Sequence, residues 1–251
     1  MRKMADLGDI DRSEHVPACG GESSVLTDQH RSLFAFATSA TANVHAGPSG
    51  ALYGLCAQRP LAMQALGRVV WGIDASILYR SLRRITPLEG VTIADVPCGG
   101  GVAFRALRRG QEVRYVAGDA RERMLVRATR RARRRKLSQV EVLRADMMSL
   151  PFADGEIDVF LCHSGIHMQH DGLGSVAEIA RCLRPGGRLI GTGFFSDMTS
   201  RARRVFELDS RHGHPMPPSR EDMYRWMRKA GLAEGTLGPD YGFAEFNARK
   251  P

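Results

Sequence analysis

Val91-Thr92-Ile93-Ala94-Asp95-Val96-Pro97-Cys98-Gly99-Gly100-Gly101 is the stretch on which the reading of this chain turns. An apolar strand over Val91–Val96 runs directly into a glycine turn, and helical spacing begins near Val102. Glycines let a backbone approach a bound group closely and present amide N–H groups to it at a helix start. The spacing is not that of a dinucleotide fingerprint. That motif wants a third glycine three residues after the second, and Phe104 stands there, which argues against a nicotinamide oxidoreductase.

Outward from this stretch the chain alternates. Short apolar strands are expected at Glu112–Ala117, Val140–Arg144, Ile157–Cys162 and Arg188–Gly193, with helices near Val102–Arg109, Arg121–Lys136 and Leu173–Leu183. Such alternation implies right-handed crossovers and a parallel sheet covered on both faces. Upstream, Leu66, Val69, Val70 and Ile73, then Ile77, Leu78, Leu82 and Ile85, predict a pair of amphipathic helices after Pro60. Downstream, Ser219 and Asp222 form a capping box and Gly231 a stop, bounding one more helix. Two strands around Gly238-Pro239-Asp240-Tyr241-Gly242 close the chain as a hairpin. The expected fold is α/β: a Rossmann-like, mostly parallel seven-stranded sheet with a terminal antiparallel hairpin and an N-terminal helical cap. Residues 1–47 read as a flexible tail, with a short helix near Gln29–Thr38. Residues 48–88 read as the cap and 89–251 as the main domain.

Composition narrows the class without deciding it. The net charge of +9 invites a nucleic-acid partner, but only four of the 36 basic residues are lysines. The densest basic run, Arg121–Lys136, places Met124, Leu125, Ala128 and Ala132 on one helical face. Its arginines are left on the others, which reads as a solvated helix surface. No apolar run approaches the ~20 residues of a membrane span. Leu33–Ala42 has the small residues of a leader, yet Thr38, Ser39 and Thr41 interrupt its apolar core. Five scattered cysteines, Cys19, Cys56, Cys98, Cys162 and Cys182, form neither a disulfide framework nor a metal knuckle, as expected of a cytoplasmic enzyme.

Two further stations carry chemistry. The second strand ends at Gly118-Asp119, where a carboxylate can accept two hydrogen bonds from a ribose diol, each worth about 1.5–3 kcal/mol. The third ends at Ala145-Asp146-Met147. There the carboxylate can accept from an exocyclic adenine amine or serve an Asx turn.

Together these stations resemble the class I S-adenosylmethionine-dependent methyltransferases, closest to the quinone-biosynthesis and small-molecule branch (methyltransferase domain 11-like). Asp95–Gly101 resembles that family's first motif, with Pro97 in place of a glycine. Gly118-Asp119 followed by Met124-Leu125 resembles the second. Arg144–Phe152 and Asp154-Gly155-Glu156-Ile157-Asp158 resemble the third and fourth, and Glu178–Gly187 the helix-to-strand motif that follows. The resemblance implies S-adenosylmethionine as cofactor, released as S-adenosylhomocysteine. It implies that Cys98, Gly99 and Gly101 lie under the methionine portion, with Asp95 ordering the turn behind them. Asp119 and Ala120 would meet the ribose, Asp146 and Met147 the adenine, and Cys162 and His163 the sulfonium and acceptor.

Methyl transfer from a sulfonium is an in-line displacement, so alignment supplies most of the catalysis. A base is needed only where the acceptor sheds a proton. His163, His167 and His170 are candidates, with His167 or His170 preferred. The spacing HxxxHxxH also suits three imidazoles on one helix face, but the resemblance makes this segment a loop entering a helix at about Asp171. No metal is therefore expected. His170-Asp171 is similar to the base–orienter pair of some O-methyltransferases. Trp71, Tyr79, Phe206 and Met216, carried by residues 60–86 and 194–224, would roof an apolar acceptor pocket. The expected activity is methyl transfer to a small, partly apolar metabolite. Nucleic acid is disfavoured as a partner, because Cys162-His163-Ser164-Gly165 stands where amino-directed DNA enzymes carry Asn/Asp-Pro-Pro-aromatic. A cofactor-binding protein without transferase activity is the alternative from another class. The oligomeric state stays open, a homodimer among the states considered.

Overall fold

A computed structural model describes residues 56–211 and 213–251. The expected tail over 1–47, its helix near 29–38, the cap's first residues (48–55), Cys19 and His212 lie outside the described residues. Seven strands form one sheet: β1 (Val91–Asp95), β2 (Val113–Asp119), β3 (Val140–Arg144), β4 (Ile157–His163), β5 (Leu183–Phe194), β6 (Ala233–Leu237) and β7 (Phe243–Arg249). Their order is β3-β2-β1-β4-β5-β7-β6. β1 to β5 pair parallel, while β7 is antiparallel to both β5 and β6, forming the terminal hairpin. From β1 the chain builds outward through β2 and β3, then returns to lay β4 on the other side of β1. The crevice beyond the carboxyl ends of β1 and β4 is therefore the topological switch point, where open α/β sheets bind ligands.

The helices form where the sequence pattern and end signals agree. α1 (Pro60–Leu66) starts with proline in its first turn and passes into a π turn, Gly67–Trp71, that Gly72 ends in a left-handed conformation (φ 67°). α2 (Ser76–Leu82) follows, ending in a 3-10 turn. α3 (Glu122–Arg135) buries Met124, Leu125, Ala128 and Ala132 and leaves its arginines outside. Three of those arginines fill its last turn, where the helix dipole favours cations. Beyond β4 come α4 (Gly172–Cys182) and α5 (Ser200–Ser210). α6 (Arg220–Lys229) has the expected reciprocal capping box of Ser219 and Asp222.

Two expectations are corrected. The helix expected over Val102–Arg109 is a single 3-10 turn, Ala103–Ala106, after which Leu107 is already extended. Gly110 then turns left-handed (φ 68°) to re-enter the sheet, so the crossover is too short for a full helix on the way to β2. β5 begins at Leu183 rather than Arg188. Leu183 pairs with Ile157 and Arg188 with Val159, so the Pro185-Gly186 corner is an irregularity within the strand.

β4 is apolar almost throughout because both its faces are covered. Ile157, Phe160 and Cys162 pack with Val176 and Ile179 of α4 and Met223 and Met227 of α6. Val159 and Leu161 face the other way, into the layer of Ile77, Leu78 and Leu82 of α2 and Leu125 and Ala128 of α3. Each large side chain so buried contributes about 1.5–3 kcal/mol. Polar ties fix the periphery. Glu245 of β7 pairs with Arg84 at 2.6 Å and accepts from Ser81 Oγ, anchoring the α2 segment. Lys250 Nζ donates to the carbonyls of Ala180 and Leu183, closing the end of α4.

Candidate active site

The glycine turn after β1 is held from β2. Cys98 N–H donates to the Gly118 carbonyl at 2.7 Å, and Gly99 N–H donates to Asp119 Oδ2 at 3.0 Å. Asp119 Oδ1 accepts from Arg121 N–H (3.0 Å) and from its guanidinium Nε (3.3 Å). One buried carboxylate thus ties the turn to the start of α3, with the half-buried Ala120 between. Gly99 and Gly101 are both left-handed (φ 52° and 74°). A Cβ on Gly101 would fall 2.5 Å from Phe104 Cε2, whereas one on Gly99 meets nothing within 4 Å. The turn therefore packs on one side and opens on the other.

Asp95, at the end of β1, is buried and accepts from Tyr115 Oη at 2.8 Å. Burial pushes its carboxyl up to about 7 against the Tyr115 hydrogen bond, and the charge of Asp119 adds to the rise. Phe104 stacks edge-on against Tyr115, ring centroids 5.6 Å apart. The residue that breaks the dinucleotide fingerprint is thus the packing support of the Tyr115–Asp95 pair. Cys98 turns its side chain into the core, and burial raises its thiol well above the ordinary range. Its Sγ–H still donates to the Gly99 carbonyl at 3.4 Å, within the turn.

At the end of β3, Asp146 Oδ1 accepts from Met148 N–H at 2.9 Å, the Asx turn weighed above. Met147 is buried, its sulfur 4.0 Å from Cys162 Sγ, and the neighbouring Met148 is the exposed methionine. Burial lifts the Cys162 thiol to about 12. The fourth and fifth motifs do structural work. Asp158 accepts from Thr92 N–H (2.8 Å) and pairs with Arg184. Arg181 bridges Asp154, Glu178 and the carbonyls of Leu150 and Phe152.

The three histidines differ in placement. His163 is the last residue of β4, its Nδ1 3.2 Å from Thr192 Oγ1 and its buried Nε2 without a partner. An unpaired buried polar atom costs about 1–3 kcal/mol. Burial also drives its imidazole down to about 4, so the ring is neutral. His167 lies in a 3-10 turn, Ile166–Met168, with Phe194 N–H 3.5 Å from its Nδ1 and Phe194 and Phe206 edge-on to its ring. His170 is exposed, and Asp171 beside it caps α4 by accepting from Gly174 N–H at 2.7 Å. The three do not share a helix face, and among the described residues no cluster of metal-ligating side chains occurs.

Phe194 is the hub of an aromatic group with Trp71, Phe206, Phe243 and His167, centroids 4.9–6.1 Å apart. Of the expected roof residues, Trp71 and Phe206 join it. Tyr79 instead donates to the Ala57 carbonyl, and Met216 is exposed. Tyr115, Arg121, Thr192 and Phe194 were not singled out from the sequence. Only Arg121 was within local reach, two residues after Asp119; Tyr115, Thr192 and Phe194 come from β2 and β5.

In fold, this sheet and its glycine turn are similar to class I S-adenosylmethionine-dependent methyltransferases. Residues 94–191 match the family model for a methyltransferase domain, Methyltransf_11. The ubiquinone/menaquinone biosynthesis C-methyltransferase UbiE of Dinoroseobacter shibae is 34% identical over 128 residues, half of this chain and 51% of that protein. The O-methyltransferase cnsE of Penicillium expansum is 32% identical over 152 residues, 59% of this chain and 54% of that protein. The chain spans about half the length of the curated relatives it matches. Among solved structures, geranyl diphosphate methyltransferase in complex with its cofactor superposes with a TM-score of 0.60 at 17% identity, covering 71% of this chain and 86% of that one. The [4+2]-cyclase SpnF superposes at 0.58 and 24% identity, covering 74% and 84%. These likenesses are of fold. The residues present also suit the cofactor: two buried carboxylates beside an open glycine turn favour a ligand carrying positive charge and hydroxyl donors.

Proposed function

We propose that the protein transfers a methyl group from S-adenosylmethionine to a small, partly apolar acceptor. The observation that carries this is the tie from Asp119 to Gly99, which holds an open, left-handed glycine turn at the switch point of the sheet. In this reading Cys98, Gly99 and Gly101 lie under the methionine portion and Asp95 orders the turn. Asp119 with Ala120 meets the ribose, and Asp146 with Met147 the adenine. Cys162 and His163 border the reacting centre. When bound, the cofactor supplies a methyl group activated on a sulfonium. The chain's own task is to align the acceptor and exclude water, and orientation of this kind supplies ~7–11 kcal/mol in favourable systems.

The aromatic group around Phe194 supports an apolar acceptor lying between α1, α5 and the carboxyl end of the sheet. No helix among the described residues is long and apolar enough to cross a membrane. The free thiols of Cys56, Cys98, Cys162 and Cys182 support a cytoplasmic location. A protein that binds the cofactor without transferring its methyl is the second reading, since this fold also carries a cyclase. Thermal denaturation with S-adenosylhomocysteine and, separately, with NAD tests the cofactor half. The melting temperature rises with the first and not with the second. The reverse pattern would sink the assignment.

A further inference from the structure

We propose that His163 is a catalytic residue, its Nε2 receiving the hydroxyl hydrogen of the methyl acceptor, and that the acceptor is therefore a phenol or enol. This rests on the methyl-transfer reading above. His163 ends β4, and β4 adjoins β1 at the switch point, Asp95 in register with Leu161. The exit turn of β4 rests on the glycine turn of β1: a Cβ on Gly165 would lie 2.3 Å from Pro97 Cδ. His163 is thus beside the cofactor turn. Strand alternation puts it on the face of Val159 and Leu161, the side of α2. On neighbouring β5, Ile190 shares that face, and Thr192 and Phe194 follow it at alternate positions. The aromatic group centred on Phe194 is therefore its neighbour on the sheet.

Its chemistry is set by what it touches. Thr192 Oγ1 holds Nδ1 and fixes the plane of the ring, while Nε2 is buried with no partner. Buried polar atoms are almost always paired, and a ligand hydroxyl would supply the missing bond. With Nδ1–H donated to Thr192, Nε2 carries a lone pair directed at that hydroxyl. The ring is neutral before reaction, as a base must be. In the step, the acceptor oxygen forms its bond to the methyl carbon as the carbon–sulfur bond breaks. The electron pair of that bond remains on sulfur, and the hydroxyl proton passes to Nε2. The imidazolium then returns the proton to solvent. His167 is already engaged with Phe194, and His170 is exposed beyond the cap of α4.

The test uses the full chain, S-adenosylmethionine and two probes, catechol and a nitrocatechol already largely ionised in the same buffer, with S-adenosylhomocysteine measured by mass spectrometry. H163L should lower kcat for catechol ~100-fold or more and for the nitrocatechol less than about tenfold, since an ionised acceptor needs no base. H163Q, which can accept a hydrogen bond but not hold a proton, should show the same split, and T192V a smaller one. Equal losses on both probes would mean a merely structural role and overturn the proposal. So would no turnover of either probe by the wild-type protein while S-adenosylhomocysteine still binds, an outcome that leaves the cofactor assignment standing. If S-adenosylhomocysteine does not bind the wild-type protein, the methyl-transfer reading falls and this proposal with it. Should H163L not fold, the H163Q split alone decides.

Discussion

Replacing Asp119 by Asn is the sharpest perturbation of the cofactor turn, because it preserves shape and removes one charge. Asp119 accepts three hydrogen bonds, from Gly99 N–H, Arg121 N–H and Arg121 Nε. An amide has one acceptor oxygen. If that oxygen stays with Arg121, the new NH2 faces the Gly99 N–H, donor against donor. The loss is then one charge-assisted bond, about 1.5–3 kcal/mol. The Arg121 ion pair, its side chains 22% and 1% exposed, is weakened too and adds to the loss. The lost bond anchors the turn, so the same loss falls on folding and on ligand affinity. We expect the melting temperature to drop by roughly 3–10 °C. The dissociation constant for S-adenosylhomocysteine should rise about 10- to 100-fold by titration calorimetry, at about 1.4 kcal/mol per tenfold. A folded Asp119→Asn protein that binds within threefold of wild type would refute the argument that this carboxylate organises the site.

Two further outcomes follow from the same geometry. In Gly101→Ala the new Cβ collides with Phe104 at a left-handed position, a cost of about 1–3 kcal/mol in backbone strain alone; Gly110→Ala, with the same strain but open space, should melt several degrees higher by calorimetry. Asp95 titrates at about 7 instead of its ordinary 3.8. Between those values the folded chain holds a proton the unfolded chain has released. Its contribution to stability is therefore full below about 4 and lost as pH rises through about 7. The sulfonium of S-adenosylmethionine favours the ionised carboxyl, so S-adenosylmethionine affinity should increase from about pH 6 to 8 with proton release, seen as buffer-dependent binding enthalpies. Asp95→Asn should abolish that dependence, and a persisting dependence would remove Asp95 from the account.

Much of this architecture is legible in the sequence because local signals and tertiary packing agree. The apolar stripe of α3, the Ser219–Asp222 capping box and the strand at Val140–Arg144 occur where the pattern puts them. The expected helix after the glycine turn fails because apolar spacing over Val102–Arg109 carries no information on crossover length. The true start of β5 is hidden because Pro185 and Gly186 read as a break, and only pairing with Ile157 keeps Leu183 in the sheet. At the site, Asp119 is visible through its place at a strand end. Its Arg121 partner is a local contact two residues on, whereas the Tyr115 partner of Asp95 comes from the neighbouring strand. The spacing of His163, His167 and His170 could not rank them. The unpartnered Nε2 and the Thr192 contact separate His163, and Thr192 lies on β5, 29 residues further along the chain.

In the proposed reaction a methyl group leaves S-adenosylmethionine at this site for a small acceptor. Incubating the protein with S-adenosylmethionine carrying a trideuterated methyl group and an apolar metabolite extract of the cells that make it, with mass spectrometry of the products, tests this directly. S-adenosylhomocysteine should appear together with a small molecule bearing the labelled methyl, both lost in Asp119→Ala. Tight S-adenosylhomocysteine binding with no labelled product from any extract would contradict it.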